Sequence, residues 1–380
     1  MLLHWKRLIT IMAIVALFLA NGAVVASPAL EEGPQSGQVE SERIGPDADK
    51  SPLQPVSSGV LPELQALSWT REEMRDAIPI PLPEGLSERD LLEMGSELLS
   101  RVPVGPPVVI SSKPPEASAP LSEELADSTM DTTPGVVAPL GYSYQFPFTR
   151  YEIFTTYQQF PYMTIGKIFF KGTDGKSYVC SGASAVGRAV WTAGHCVYNN
   201  ASMSGRYGWH TNVVFVPGYR DGSTPYGQWT AKELWTLTGW QNNKQAYDIG
   251  MIVTNDQNGA KLSQRVGNLG ALFNASRVQH WNDFGYPQAA PFNGNRLIVC
   301  LASHAKDDPK GSDPATIGIG CDMTGGCSGG PWVVGFSGQA GATNYVNGVN
   351  SYIYTSQPKA LYSSFFGDGA KNLYDAVKNR

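Results

Sequence analysis

The stretch TGGCSGGPW, residues 324–332, places two potential nucleophiles side by side between two pairs of glycines. A hydroxyl or thiol becomes an effective nucleophile when a neighbouring base takes its proton, and a third group must orient that base. The oxyanion that forms needs backbone N–H donors, and Gly326 leaves the chain free to aim one of them. The stretch therefore predicts acyl-transfer chemistry, with either Cys327 or Ser328 as the attacking residue.

A histidine and an aspartate upstream complete the set of groups that this chemistry needs. In AVWTAGHC a predicted strand ends just before His195, and a chain reversal ahead of that strand would place Cys180 opposite Cys196. Opposed strand positions lie within disulfide reach, so the histidine would be fixed beside a cross-linked hairpin. In QAYDIGMIV, Asp248 immediately precedes an apolar strand, where a buried carboxylate needs a partner, although an Asp here could also cap a turn.

The elements that position these groups are predicted to be β-strands. From about residue 142 the sequence consists of short apolar or alternating runs separated by turn residues, which is typical of antiparallel barrels or sandwiches. Amphipathic spacing predicts one helix near the C-terminus, in residues 368–380. The predicted strands are residues 162–170, 189–193, 212–218, 249–254, 295–302 and 331–336.

The motifs TAGHC, YDIGMI and GGCSGGPW, in this order, resemble those of the chymotrypsin-like (trypsin-fold) serine endopeptidases. DMTGGCSGGPW is most similar to the bacterial glutamyl-endopeptidase-like branch, and the resemblance covers roughly residues 150–380. It implies an all-β fold of two antiparallel six-stranded β-barrels with the active site between them. His195 would be the general base and Asp248 its orienting partner. Ser328 would be the nucleophile, and the N–H groups of Gly326 and Ser328 would form the oxyanion hole.

The resemblance also distinguishes the two candidate nucleophiles, because the family's nucleophile directly precedes the second glycine pair. That residue is Ser328, and Cys327 takes the position where trypsin-like zymogens carry an aspartate. The chain has five cysteines, so two disulfides would leave one thiol free. The expected bridges are Cys180–Cys196 and Cys300–Cys321, with Cys327 buried and free; the alternative to the second bridge is Cys300–Cys327.

Three residues are candidates for the substrate pocket. Asp322 lies six residues before Ser328, the spacing at which trypsins carry the aspartate that attracts Arg or Lys, although it could instead cap a turn. Asn350, followed by Ser351, stands where glutamate-specific relatives have a histidine. Strict glutamate preference is therefore not expected.

Composition divides the chain into three parts. Residues 1–26 have two basic residues before an apolar run and small residues at the end, which is typical of a cleaved signal peptide; an uncleaved membrane anchor is the alternative. Residues 27–140 contain 20 acidic and 7 basic residues and 17 of the 27 prolines, which favours a disordered or partly helical pro-segment with a candidate helix in residues 87–98. Residues 141–380, with 13 acidic and 19 basic residues, form the predicted protease domain.

Together these observations predict a secreted serine endopeptidase that is made as a precursor and acts as a monomer on protein or peptide substrates. The pro-segment is an expected partner of the domain because their charges are opposite, although it could be a plain tether. No cofactor is expected, and no metal, because the remaining histidines lack ligand spacing. Neither nucleic acid nor, after signal removal, a membrane is an expected partner. The main alternative function is a catalytically inactive homologue that serves as a binding module.

Overall fold

The computed structural model describes residues 50–62, 68–83, 105–115, 146–200, 206–308, 314–339 and 341–380. The predicted signal peptide and the candidate helix in residues 87–98 lie outside these ranges. Within them, no helix is both long and apolar enough to cross a membrane.

Short strands separated by turns make up most of the described chain, as the apolar and alternating runs predict. In chain order the strands are β1 (Pro55–Ser57), β2 (Ile78–Pro79), β3 (Val108–Ile110), β4 (Thr149–Glu152), β5 (Ile165–Lys171), β6 (Ser177–Ser184), β7 (Ala189–Thr192), β8 (Tyr198–Asn200), β9 (Tyr207–Trp209), β10 (Thr211–Pro217), β11 (Trp229–Leu237), β12 (Gly250–Thr254), β13 (Gly270–Phe273), β14 (His280–Gly285), β15 (Ile298–Asp308), β16 (Thr316–Gly320), β17 (Pro331–Val334), β18 (Tyr345–Val349) and β19 (Ala360–Ser363). The α-helices are α1 (Arg71–Asp76), α2 (Thr238–Gln241), α3 (Leu262–Val266) and α4 (Asp368–Val377).

The first sheet closes into a barrel of six antiparallel strands. Its order is β11, β10, β5, β6, β7 and β12, and β12 pairs again with β11 to complete the ring. The strands are rich in Val, Ile, Phe and Trp, and six of the seven residues of β5 are buried. A closed ring has no free edge within it, so its backbone groups are hydrogen-bonded all round.

The second sheet contains nine strands and carries the other half of the molecule. Its order is β19, β16, β15, β14, β17, β18, β13 and β3, with β4 paired to β15. Two pairings depart from the wholly antiparallel prediction, because β13 runs parallel to β18 in this sheet and β2 runs parallel to β6 in the first. The predicted all-β architecture of two antiparallel barrels with a C-terminal helix is otherwise confirmed.

The acidic N-terminal segment contributes strands to both sheets. β1 extends the first sheet beside β11, β2 pairs in parallel with β6, and β3 adds an edge strand to β13 in the second sheet. Helix α1 begins at a capping box in which Glu73 N–H donates to Thr70 Oγ1 and Thr70 N–H donates to the Glu73 carboxylate. Trp69 and Met74, each 2% exposed, dock this segment on the barrel. The sequence predicts neither α1 nor these three strands, since the candidate helix lies at residues 87–98.

Helix α4 returns the chain from the second sheet to the first barrel. The Trp191 ring of β7 lies 5.0 Å from the ring of Phe366 and 6.1 Å from that of Tyr374 in α4, measured between ring centroids. Leu373 and Val377 are buried on the same face of the helix. This apolar face explains why a helix forms after the last strand.

The β6–β7 hairpin has a different register from the one predicted. Ala183 pairs with Trp191, which is two residues away from the register that would place Cys180 directly opposite Cys196. Cys196 lies beyond β7, in a 3₁₀ turn formed by Gly194–Cys196. The disulfide forms because this turn folds the chain back toward β6, not because the two cysteines oppose each other in a ladder.

Candidate active site

His195 and Asp248 form a buried pair on the first barrel. His195 lies in the turn that follows β7, and Asp248 directly follows another 3₁₀ turn just ahead of β12. The distance between His195 Nδ1 and Asp248 Oδ2 is 2.8 Å, and the His195 backbone N–H donates to Asp248 Oδ1 at 2.8 Å. A carboxylate only accepts hydrogen bonds, so Nδ1 carries the hydrogen and Nε2 is left with a free lone pair. The ring is thereby prepared to accept a proton.

A third group holds the Asp248 carboxylate from the other half of the molecule. Ser351, which follows β18, donates its hydroxyl hydrogen to Asp248 Oδ2 at 2.6 Å. Ser351 was predicted as a pocket residue, and the structure places its hydroxyl on this carboxylate instead. Asp248 is fully buried, and its three hydrogen bonds offset the cost of burying a charge.

The His195 turn is fixed from two further sides. Cys196 is bonded to Cys180 of β6, with 6.2 Å between their Cα atoms. The Nε2 atom of His210 lies 3.0 Å from the His195 carbonyl oxygen, which can only accept, so this nitrogen carries a hydrogen. Burial lowers the pKa of His210 to about 4, which keeps its ring neutral.

The loop that carries Ser328 lies against the His195 turn. The Ser181 N–H of β6 donates to the Ser328 carbonyl at 2.7 Å, and the Ser181 hydroxyl donates to the Gly326 carbonyl at 2.9 Å. A Cβ atom on Gly329 would collide with Thr192, the last residue of β7. Gly326 has φ +99°, and a Cβ there would lie 2.8 Å from the Tyr286 carbonyl oxygen. Gly329 therefore allows the loop to approach the first barrel closely, and Gly326 allows it to pass close to the chain that follows β14 of the second sheet.

Polar groups around Ser328 lack hydrogen-bond partners among the described residues. Ser328 Oγ and His195 Nε2 are both buried and form no hydrogen bond, either with each other or elsewhere. The backbone N–H groups of Gly326 and Ser328 donate to no other described residue. A hydroxyl, an accepting nitrogen and two free donors thus lie on adjoining turns, an arrangement that can transfer a proton and bind an oxyanion.

Cys327 packs away from this site, in the interior of the second sheet. It is a free, fully buried thiol, and Gly285 lies so close that a Cβ there would be 2.7 Å from Cys327 Cβ. Burial raises the pKa of this thiol well above its usual value, with a further contribution from Asp283. A thiol held protonated is a poor nucleophile, which leaves Ser328 as the residue with the suitable placement.

The structure brings together the other predicted cysteine pair, Cys300 and Cys321, with 5.6 Å between their Cα atoms. This bridge joins β15 to the start of the loop that carries Ser328. Two groups of side chains have metal-ligand proximity in the described residues, but the cysteines in both groups belong to disulfides and so offer no thiolate. The groups are Cys180, His195 and Cys196, and Asp283, Cys300 and Cys321.

Two predicted pocket residues are already partnered within the chain. Asp322 Oδ2 lies 2.5 Å from Arg150 Nη1, in an ion pair with β4. Asn350 is fully buried; its Nδ2 donates to the Phe284 and Cys327 carbonyls, and its Oδ1 accepts from Trp332 Nε1. The Asn350 side chain therefore stabilises the nucleophile loop by hydrogen bonds, and its amide is used within the protein interior.

Sequence reasoning missed one segment that reaches the site, residues 77–83 of the N-terminal part. Their backbone contacts β6 on one side and Ile353, shortly after Ser351, on the other. The available signal was the alternation of apolar residues with proline in IPIPLP, residues 78–83, which is unsuited to a helix but suited to an extended docked strand.

No protein-family model matches the chain. Among curated proteins, it is 33% identical over 102 residues to an extracellular metalloprotease of Bacillus subtilis and 31% identical over 97 residues to a glutamyl endopeptidase of Bacillus licheniformis. Each match covers 26% of this chain, and the matched stretches span only 31% and 27% of the two relatives. The second match supports the glutamyl-endopeptidase-like branch.

Solved structures match over a greater length. Protease Anisep from Arthrobacter nicotinovorans is 42% identical, with a TM-score of 0.52, and the match covers 57% of this chain and 96% of that one. The thermostable serine protease AL20 from an extremophilic microorganism is 35% identical, with a TM-score of 0.51 and coverage of 57% and 98%. The chain therefore belongs to the trypsin-fold serine endopeptidases.

Proposed function

We propose that the protein is a secreted serine endopeptidase, made as a precursor, in which His195, Asp248 and Ser328 form the catalytic triad. The observation that carries the proposal is the doubly hydrogen-bonded pair of His195 and Asp248, which fixes the ring with Nε2 unprotonated beside the Ser328 loop. Gly326 and Ser328 supply the free backbone donors that an oxyanion requires.

The reaction follows from these placements. The Ser328 oxygen attacks the substrate carbonyl carbon while His195 Nε2 takes the hydroxyl proton, and the carbonyl oxygen becomes an oxyanion bound by the two N–H donors. His195 then gives the proton to the amide nitrogen, the C–N bond breaks and the amine leaves, with the acyl group esterified to Ser328. Water repeats the sequence, releasing the acid and restoring the serine. Asp248 stays ionised and stabilises the charged imidazolium formed in both halves.

Secretion and synthesis as a precursor are supported by separate observations. Two disulfides persist only in an oxidising compartment, and the first 26 residues are typical of a signal peptide. Residues 50–62, 68–83 and 105–115 precede the proposed protease domain, and strands within them pair with both of its sheets. One curated relative is named as an extracellular metalloprotease.

An inactive binding module is the second candidate, because Ser328 Oγ and His195 Nε2 do not hydrogen-bond in this structure. Such bonds often tighten only when substrate is present, so geometry without substrate does not favour inactivity over a resting enzyme.

Labelling with a fluorophosphonate probe, followed by peptide mapping, tests the proposal. We expect the matured protein to be labelled on Ser328, and Ser328→Ala and His195→Ala to abolish both labelling and hydrolysis of a peptide library. Ser303→Ala is the matched control, since Ser303 also contacts a histidine, His280 at 3.1 Å, but that pair is exposed. Intact labelling in Ser328→Ala, or no labelling and no hydrolysis in the folded wild type, would reject the triad.

A further inference from the structure

We propose that residues 77–83 occupy the peptide-binding groove of the enzyme, and that the pocket holding Leu82 accepts an apolar side chain of about leucine size from a substrate. The inference rests on the proposed function, since it assigns the substrate class and the precursor state of that same site. The argument uses the path of the segment, its contact with the Ser328 loop, the surroundings of Leu82 and the groups that remain unbound.

The segment crosses from the first barrel to the second sheet at the level of the proposed triad. Its β2 strand pairs in parallel with Tyr178 and Val179 of β6, the strand whose Ser181 holds the Ser328 carbonyl. Five residues after β2 begins, the Pro83 carbonyl accepts a hydrogen bond from Ile353 N–H at 3.1 Å. Both anchors are backbone bonds, which bind an extended peptide whatever its sequence.

The middle of the segment touches the loop that bears the nucleophile. The Ile80 carbonyl oxygen lies 2.8 Å from the place where a Cβ on Gly325 would be, so the two backbones are in direct contact. The Ala77 carbonyl accepts a hydrogen bond from Gln288 Nε2 at 2.6 Å. Ser328 and His195 themselves are fully buried in the chain that contains this segment.

Leu82 fills an apolar pocket next to the nucleophile loop. It is 9% exposed, whereas Pro81 before it is exposed, so its side chain points inward. Ile80 is also buried, but it belongs to a different apolar cluster from Leu82. The Leu82 cluster includes Met323 and Cys327 from the nucleophile loop and Leu361 from β19. Ile353, whose N–H binds Pro83, packs against the same cluster. Apolar walls of this kind favour an aliphatic side chain.

The carboxylate next in sequence to Met323, one of the residues around Leu82, is already paired with a basic side chain. Asp322, adjacent to Met323, is bound by the Arg150 guanidinium, which also lies over the Phe292 ring at 5.0 Å. Phe292 packs against the cluster that holds Leu82. A substrate Arg or Lys would have to displace Arg150 from Asp322. The structure thus favours an apolar preference over the basic preference that the position of Asp322 predicts.

The segment occupies the groove without being placed for cleavage. No carbonyl of residues 77–83 accepts a hydrogen bond from Gly326 or Ser328 N–H, so none lies in the proposed oxyanion hole. Prolines at 79, 81 and 83 hold the chain extended and make every second peptide bond of residues 78–83 an X–Pro bond. The segment therefore acts as a tethered inhibitor that persists until it is removed by cleavage elsewhere.

The first test measures fluorophosphonate labelling of the unprocessed full-length chain. We expect slow labelling of the wild type and labelling at least about tenfold faster in Leu82→Asp, because a carboxylate cannot enter an apolar pocket without large cost. Ile78→Asp is the matched control in the same segment; Ile78 is 43% exposed, so its labelling should stay slow. Leu82→Ala, which adds no charge, should give an intermediate rate. Equal rates in the wild type and Leu82→Asp would overturn the inhibitory role.

The second test uses the matured enzyme, which does not depend on the folding of any variant. Three peptides that differ only in carrying Leu, Arg or Glu before the scissile bond should show kcat/KM highest for Leu, by at least about tenfold. A synthetic peptide of residues 77–83 should inhibit competitively, and its Leu82→Asp form should not. Labelled, active enzyme that prefers Arg or Glu would overturn this inference and leave the triad standing; absence of labelling would reject the proposed function itself.

Discussion

The two sides of the candidate site differ in how completely their polar groups are hydrogen-bonded. On the first barrel, His195 Nδ1, the His195 N–H and both Asp248 oxygens have partners, and of the side-chain groups of this pair only His195 Nε2, the proposed proton acceptor, has none among the described residues. On the nucleophile loop, the Ser328 hydroxyl and the N–H groups of Gly326 and Ser328 have none among the described residues. The base must keep one orientation through the reaction, whereas the nucleophile side must bind a carbonyl that changes shape and charge. The difference indicates that hydrogen bonds fix the base on the first barrel, whereas the nucleophile loop keeps donors that are free to bind a substrate carbonyl.

The largest expected effect comes from changing Asp248, the hydrogen-bond partner of His195 on the first barrel. In Asp248→Asn the amide would donate toward Nδ1, which forces the ring hydrogen onto Nε2 and removes the base. We expect kcat to fall by about 10⁴-fold with the fold unchanged. Peptide hydrolysis and circular dichroism measure the two quantities. Asp256→Asn is the control, because Asp256 is also bound by a side chain, that of Arg188, but lies past the opposite end of β12 from Asp248; a similar loss there would mean that the Asp248 effect is not specific.

A smaller loss of activity is expected from changing Gly326, on the nucleophile loop. An alanine there is strained at φ +99° and would press on the Tyr286 carbonyl, so the N–H donor would turn away from the oxyanion. We expect kcat to fall by roughly 10²- to 10³-fold while KM changes little. Gly175→Ala provides the comparison, since Gly175 has φ +79° with nothing within 4 Å, and its kcat should not change. A KM effect alone would place Gly326 in substrate binding and not in transition-state stabilisation.

The smallest effects concern stability. Two buried groups, His210 beside the first barrel and Asp283 in the second sheet, have pKa shifts that make stability depend on pH in opposite directions. Burial lowers the pKa of His210 to about 4, below the value of about 6.5 in the unfolded chain. Because the unfolded chain binds the proton more tightly, the contribution of His210 to the free energy of unfolding is highest above pH 6.5 and decreases as the pH falls toward 4. This loss amounts to roughly 3 kcal/mol. Burial raises the pKa of Asp283 well above 3.8. Because the folded chain holds this proton more tightly than the unfolded chain, the contribution of Asp283 to the free energy of unfolding is highest below pH 3.8 and decreases as the pH rises.

Urea unfolding measured from pH 4 to pH 8 distinguishes the contributions of His210 and Asp283 to the free energy of unfolding. The measurements use a Ser328→Ala background to prevent self-digestion. His210→Gln should flatten the acid-side loss, because its amide can donate to the His195 carbonyl without titrating. Asp283→Asn should raise the unfolding free energy more at pH 8 than at pH 4. If both variants keep the pH profile of the parent, burial does not control either group.

Sequence alone identifies the residues of the site better than their surroundings. Residue type and the Gly-rich turn are sufficient to select His195, Asp248 and the pair Cys327 and Ser328 as candidates, and the resemblance to the serine endopeptidases then favours Ser328. Ser351 is predicted as a pocket residue because it follows Asn350, the position where glutamate-specific relatives carry a histidine, and nothing in the sequence shows that its hydroxyl reaches Asp248. The Cys180–Cys196 bridge was expected for a reason that does not hold, because the turn after β7 is not visible in an alternating pattern.

The fold class was predictable from the short apolar runs, but the N-terminal strands were not. Composition averages over a segment, and residues 27–140 are acidic and proline-rich as a whole. Docking depends instead on single side chains, such as Trp69 and Leu82, that find apolar surface supplied by a distant part of the chain. Only the three-dimensional arrangement shows that this surface lies beside Ser328.

Helix α4 has a consequence for when activity can begin. Trp191 of β7 completes its packing only against Phe366 and Tyr374, which are synthesised after every proposed catalytic residue. The turn that carries His195 therefore gains its final support after the loop of Ser328 has been made. A nascent chain that has reached Ser328 but not α4 contains all three proposed reacting groups while the first barrel still lacks part of its core, so we expect the site to take its final form only once the C-terminal helix has been made.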